Sequence, residues 1–304
     1  MPVPSIAAVS PLKLLTTLIG PLAFGLLLGG CASGAPAVTT SAQSSAVAPR
    51  PAPAGKPTLY VVGDSTANSP APIQGWGTPF IGYFDPAKIT VLNRARGGRS
   101  SRSYIHEGLW DGIVKELKSG DFVLLQFGHN DGGTPSAARA GDRPSLPGVG
   151  EETKDFPNPA GQTETVHTFG YNMRKMVADT KAKGATIIVL SCTVRNLWRT
   201  GTADHGPGSF GPWAAEVAKS QHVPFLDFSL LTADKYDVLG REKVAAFYGP
   251  TDTPPSTPAG ADFTAASVVS GLRSLPGAPF DAYLNDKGRG VPAAAAKYIT
   301  TNQP

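Results

Sequence analysis

From Pro57 onward the chain alternates between short apolar runs bounded by turn residues and longer stretches whose apolar positions recur three or four apart. Five of the short runs read as strands: Thr58–Val62, Ile89–Leu92, Asp121–Phe127, Thr186–Leu190 and Pro224–Phe228. The run from Asp121 to Phe127 is almost continuously apolar, as expected of a strand buried on both faces. Helical spacing is read over Trp110–Leu117, where Ile113 and Leu117 lie four apart, over Phe169–Lys183, over Trp213–Ser220, and over Ala261–Leu275 as a closing helix. Strand and crossover helix in alternation predict an α/β fold: a three-layer α/β/α sandwich around a parallel five-stranded sheet. One such domain accounts for residues 57–275. Residues 132–166, rich in Gly, Pro and acidic side chains, form a long excursion, and residues 276–304 read as a surface-packed tail.

The 304 residues contain ample apolar content for a sizeable core. The segment ahead of the domain has a different character. Lys13 precedes an apolar stretch ending at Leu28-Gly29-Gly30-Cys31, too short and too interrupted by Gly and Pro for a comfortable membrane span. It reads as a secretory signal peptide. Leu28-Gly29-Gly30-Cys31 also resembles a bacterial lipobox, with Cys31 as the lipidated first residue of the mature chain; simple cleavage near Cys31-Ala32-Ser33 is the alternative. The expectation is an exported protein, an outer-membrane lipoprotein facing the periplasm or the cell surface. Residues 32–56, mostly Ala, Ser, Pro, Gly and Thr, form a flexible linker. If Cys31 is lipidated, Cys192 has no partner, and its apolar setting marks it as a buried small residue. The net charge of +4 is spread along the chain without a Lys/Arg block, so nothing points to nucleic acid.

Candidate chemistry sits where predicted strands end. Val62-Gly63-Asp64-Ser65-Thr66 reads as a strand breaking into a tight turn that lifts the Ser65 hydroxyl to the carboxyl end of the sheet, where open α/β folds place their ligands. A serine there can act as a nucleophile if a neighbour takes its proton. In Arg96-Gly97-Gly98-Arg99-Ser100 two glycines permit a turn whose N–H groups point outward as oxyanion donors; an ordinary turn with solvated arginines is the other reading. Gln126-Phe127-Gly128-His129-Asn130-Asp131 follows the most buried strand and offers an amide N–H at Asn130, although such a sequence is also common in plain turns.

Taken together and in order, Gly63-Asp64-Ser65-Thr66, Gly97-Gly98-Arg99-Ser100 and Gly128-His129-Asn130-Asp131 resemble the SGNH (GDSL-type) hydrolases, and within them the rhamnogalacturonan acetylesterase family. Ser145–Gly150, Val166–Gly170, Trp213–Ala218 and Pro258–Ala261 extend the resemblance over essentially all of residues 57–275. It implies the flavodoxin-like SGNH fold and a serine esterase that removes acetyl groups from pectic polysaccharide. Ser65 would be the nucleophile. The Ser65 and Gly98 backbone N–H groups and the Asn130 amide would form the oxyanion hole, each donor worth about 3–4 kcal/mol in the transition state. Neither a metal nor another cofactor is implied.

The family's acid/base pair is Asp-x-x-His shortly before the Pro-Ala-Gly-Ala stretch. Here Asp252 is in place, but three residues on stands Pro255, whose side chain accepts no proton. Of the five histidines, His129 and His205 are the substitutes to weigh, His129 for its place beside Asn130 and His205 for its glycine-rich loop; His167, His106 and His222 read as structural or surface residues. A chain with Ser65 and an oxyanion hole but no base is expected to be an impaired esterase, or a catalytically silent relative that binds polysaccharide in the old cleft. Trp76, Trp110, Trp198 and Trp213 are expected mostly in aromatic core packing rather than stacked on sugar rings.

Overall fold

The computed structural model describes residues 55–136, 142–157, 160–204, 208–249 and 257–302. The signal segment, Cys31, most of the linker, His205, Asp252 and Pro255 lie outside the described residues. The strands are β1 (Thr58–Val62), β2 (Thr90–Asn93), β3 (Phe122–Leu125), β4 (Thr153–Pro157), β5 (Thr163–His167), β6 (Thr186–Leu190), β7 (Trp198–Arg199), β8 (Thr202–Ala203), β9 (Phe225–Leu226) and β10 (Ile299–Thr300). The helices are α1 (Gly77–Phe80), α2 (Ser101–His106), α3 (Leu109–Glu116), α4 (Phe169–Ala182), α5 (Phe210–Ser220), α6 (Phe228–Leu239), α7 (Arg241–Ala245), α8 (Pro258–Leu272) and α9 (Asp286–Arg289).

The central sheet has the order β10-β9-β6-β3-β1-β2. β2, β1, β3, β6 and β9 pair in parallel, in the register Leu59 with Val91 on one side and with Phe122 on the other, and Phe122 with Thr186. Successive side chains of a strand point to opposite faces, and here both faces are covered. Leu59, Val61, Leu124, Ile188 and Leu190 pack beneath Trp76, Phe80, Phe228 and the apolar face of α8. Tyr60, Val62, Val123, Leu125, Ile187 and Val189 pack against Tyr104, Trp110, Phe169, Met173, Met176 and Val217 of α2 to α5. This is the expected three-layer sandwich.

The expected strand number needs correcting from five to six. Ile299 and Thr300 pair antiparallel with Leu226 and Phe225 and close one edge of the sheet. The same segment buries Phe280, Leu284 and Tyr298, with the Phe280 ring 4.8 Å from that of Phe122. Two paired residues leave no alternation to read, which is why periodicity alone does not reveal β10. The excursion 132–166 contains the β4–β5 hairpin, whose exposed polar strands carry no apolar stripe. Helix α6 also escapes a periodicity reading: Phe228, Leu231, Thr232 and Tyr236 are buried around much of its circumference, and its start is fixed by Asp227, whose carboxylate accepts from the Leu230 N–H.

Candidate active site

β1 ends at Val62, and the chain turns where the sheet leaves no room for a side chain. A Cβ on Gly63 would stand 2.8 Å from the Gln126 carbonyl oxygen, and the Gly63 carbonyl accepts from the Arg96 N–H at 2.9 Å. Asp64 is fully buried; its Oδ1 accepts from the Thr66 N–H at 2.8 Å, and its carbonyl accepts from the Ala67 and Asn68 N–H groups at 3.2 and 3.1 Å. This single helical turn buries Asp64 and Thr66 and leaves Ser65 between them half-buried. Beneath it, Gln126 ties three strand ends together. Its Oε1 accepts from Thr66 Oγ1 at 3.0 Å and Trp76 Nε1 at 3.1 Å, and its Nε2 donates to the Ser191 carbonyl at 3.1 Å. Position alone did not single out Gln126 as a support of the site. A buried amide directly after an apolar strand is the signal that finds it.

The turn after β2 is laced to the serine turn from both sides. Asn93 Nδ2 donates to the Ala67 carbonyl at 2.9 Å, and Asn68 Nδ2 donates to the Ala95 carbonyl at 2.8 Å. A Cβ built on Gly97 would lie 3.8 Å from the Ser65 Cβ, so this backbone runs alongside the hydroxyl-bearing residue. Gly98 has φ +76°, the left-handed region that a side chain disfavours. The turn after β3 joins them: Asn130 Nδ2 donates to the Arg99 carbonyl at 3.0 Å, while Arg143 Nη1 donates to Asn130 Oδ1 at 2.9 Å and to the Gly98 carbonyl at 3.3 Å. Ser65, Gly98 and Asn130 are thus brought together at the carboxyl end of the parallel strands. Among the described residues, the Ser65 N–H, the Gly98 N–H and the second amide N–H of Asn130 have no protein acceptor.

Asp131 anchors this arrangement from below. It is buried and accepts from Ser101 Oγ at 2.5 Å, from the Ser101 N–H at 3.1 Å and from Ser145 Oγ at 2.8 Å, holding the start of α2 and the returning excursion. Burial pushes the carboxyl of Asp131 up to about 6 against the pull of those hydrogen bonds. Burial likewise pushes Asp64 to about 6, and its Oδ2 has no hydrogen-bond partner. The Cys192 thiol, buried and donating to the Phe127 carbonyl at 3.2 Å, is raised well above its usual value by burial, with Asp64 and Asp131 adding to the effect. It therefore stays a neutral packing residue.

The described histidines are spread over the molecule. His129 Nε2 lies 2.8 Å from Thr193 Oγ1 beyond the end of β6, and burial, reinforced by Arg195, lowers its pKa to about 4. Its hydrogen bond is to Thr193, and among the described residues no hydrogen bond joins it to Ser65. His167 stacks on Tyr171, with centroids 3.8 Å apart and planes 11° from parallel. His106 is exposed 3.8 Å from Glu164, and His222 lies 3.3 Å from the Asn302 carbonyl. Trp76 and Trp110 are core residues, and their indole N–H groups donate to Gln126 and Asp179. Trp198 and Trp213 are half-buried.

Known proteins resemble this chain in sequence and in fold. A profile of the GDSL-like lipase/acylhydrolase family matches residues 61–255. A rhamnogalacturonan acetylesterase of Emericella nidulans is 37% identical over 191 residues, spanning 63% of this chain and 75% of its own. The rhamnogalacturonan acetylesterase RhgT of Bacillus subtilis is 28% identical over 190 residues, 61% of this chain and 70% of its own. The crystal structure of YxiM from Bacillus subtilis superposes with a TM-score of 0.57 at 26% identity; the match covers 72% of this chain and 56% of that one. On the strength of the profile match and the shared fold, the chain belongs to the GDSL-like lipase/acylhydrolase family, a family of ester hydrolases.

Proposed function

We propose that this chain is a serine carbohydrate esterase that removes acetyl groups from pectic polysaccharide of the rhamnogalacturonan type. Three unpaired donors at the carboxyl end of the parallel strands, the Ser65 and Gly98 backbone N–H groups and the second Asn130 amide N–H, carry the reading. Ser65 Oγ attacks the acetyl carbonyl carbon. Charge develops on the carbonyl oxygen, and the three donors hold it; preorganised donors of this kind cost no reorganisation as the charge appears. The tetrahedral intermediate collapses as the C–O bond to the sugar breaks, the sugar oxygen leaving with the proton that Ser65 gave up, relayed by water in the absence of a histidine; water then hydrolyses the acetyl-serine to acetate and restores the Ser65 hydroxyl. The names of the two acetylesterase relatives supply the substrate class.

Asp252 would orient a histidine, but Pro255 stands in that histidine's place. Loss of a general base slows such chemistry by about 10²–10⁴-fold while leaving the contribution of the oxyanion hole. The expected enzyme is therefore slow. Hydrolysis of 4-nitrophenyl acetate above the level of Ser65→Ala supports the reading, and rates equal to that variant count against it. Pro255 also favours a second reading, a silent relative that binds acetylated polysaccharide without turnover. Pro255→His separates the two: the esterase reading expects a gain of about 10²-fold or more, the size of a restored base. No gain, with polysaccharide affinity intact, favours the binder. The Leu28-Gly29-Gly30-Cys31 sequence supports an exported chain anchored to the outer membrane through lipidated Cys31.

A further inference from the structure

Three exposed arginines sit in the loops that follow the sheet strands: Arg96 after β2, Arg143 in the excursion after β3, and Arg195 after β6. Arginines beside them are neutralised, Arg94 by Glu116 at 2.5 Å, Arg99 by Glu107 at 2.9 Å and Arg102 by Glu164 at 2.6 Å. Arg96, Arg143 and Arg195 form no ion pair among the described residues. The two buried acids nearest the site form no ion pair with them: Asp64 accepts from the Thr66 N–H, and Asp131 from Ser101 and Ser145.

Arg143 differs from the other two in being docked against the site. Its Nη1 donates to Asn130 Oδ1 and the Gly98 carbonyl, and its own carbonyl accepts from Ser100 Oγ at 2.6 Å. Its Nε and Nη2 have no acceptor among the described residues. A guanidinium is a rigid planar fork, so fixing Nη1 also fixes the direction of its other donors. The result is a permanently charged fork, held by the two residues that carry the candidate oxyanion donors. A carboxylate matches such a fork in charge and can accept two of its N–H groups at once.

We infer that Arg143 is a specificity-determining residue that receives the carboxylate of a uronic-acid sugar next to the ester being cleaved. This rests on the esterase reading above and sharpens it. Pectic chains place a carboxylate on the acetylated sugar or its neighbour, whereas neutral acetylated polysaccharides offer none. Arg96 and Arg195 extend the positive field around the cleft and raise the local concentration of an anionic chain.

The test separates binding from turnover. Ser65→Ala protein, which needs no catalysis, is titrated calorimetrically with trigalacturonate at low ionic strength, with and without Arg143→Ala or Arg143→Lys. A hydrogen-bonded charge pair predicts an affinity loss of about tenfold or more for Arg143→Ala, partly restored by Arg143→Lys. In the Ser65-intact enzyme, Arg143→Ala should raise KM for acetylated oligogalacturonide well above any rise for acetylated xylo-oligosaccharide. The accompanying fall in kcat should be similar for both substrates, because both lose the Nη1 contact to Asn130. Unchanged trigalacturonate affinity, or equal KM effects on the charged and neutral substrates, would overturn the assignment. Turnover indistinguishable from Ser65→Ala would instead refute the esterase reading and leave the binding comparison intact.

Discussion

At the residue scale, Asp64 shows that the serine turn itself lowers the stability of the fold near neutral pH. Its carboxyl is fully buried, one oxygen satisfied by the Thr66 N–H and the other unpaired, and burial raises its pKa from 3.8 to about 6. An acid whose folded pKa lies above its unfolded value binds its proton more tightly in the native state. Its contribution to stability is full below about pH 4 and is lost as pH rises through about 6. For a shift of this size the loss is about 3 kcal/mol. Asp64→Asn, which cannot ionise, should flatten this dependence and unfold at higher urea than the parent at pH 7.5, with the difference narrowing by pH 4. Parallel stability-pH curves for the two proteins would show that Asp64 is not the source. Asp131, also raised to about 6, keeps a residual slope in the variant.

At the scale of elements, the C-terminal segment is part of the core. Phe280 is 1% exposed and packs between the sheet and its own segment, with its ring against Phe122, and β10 pairs with β9 just beyond it. Phe280→Ala should cost about 3–5 kcal/mol of unfolding free energy, as for other buried phenylalanines. Urea denaturation measures it, and a loss below about 1 kcal/mol would contradict this packing. The sequence pattern made the five parallel strands legible because each is apolar on both faces; Thr186–Leu190 appears with the bounds expected of it. It hid β10, too short for alternation, and the β4–β5 hairpin, whose strands are polar. The site was legible to the same extent. Ser65, Gly98 and Asn130 stand at strand ends, where a turn motif signals them. Gln126 and Arg143 act through partners 60 and 13 positions away along the chain; an amide after an apolar strand marks Gln126 as a residue to ask about, but its partners, and Arg143 altogether, have no local signal.

At the scale of the whole molecule, residues 63–66, 96–100 and 128–131 come to one end of the sheet because β2 and β3 flank β1 and all three run parallel. The candidate oxyanion donors stand on this scaffold, braced by Arg143 and Ser145 of the excursion. On the proposed reading the proton acceptor would come from the segment of Asp252 and Pro255, which is separate in sequence from all three turns, so the donors can stand without it. The central claim is that Ser65 is a nucleophile on an intact scaffold with a missing base. Without that base, hydrolysis of an acetyl-serine is slowed along with its formation, so the covalent form should persist. The most direct test is acid quenching of the protein during incubation with acetylated rhamnogalacturonan, followed by mass spectrometry of the peptide carrying Ser65. The account predicts an acetyl group on Ser65 that accumulates with time, is absent from Ser65→Ala, and turns over faster in Pro255→His. Acetate release undiminished in Ser65→Ala, with no acetylated Ser65 in the parent, would contradict it.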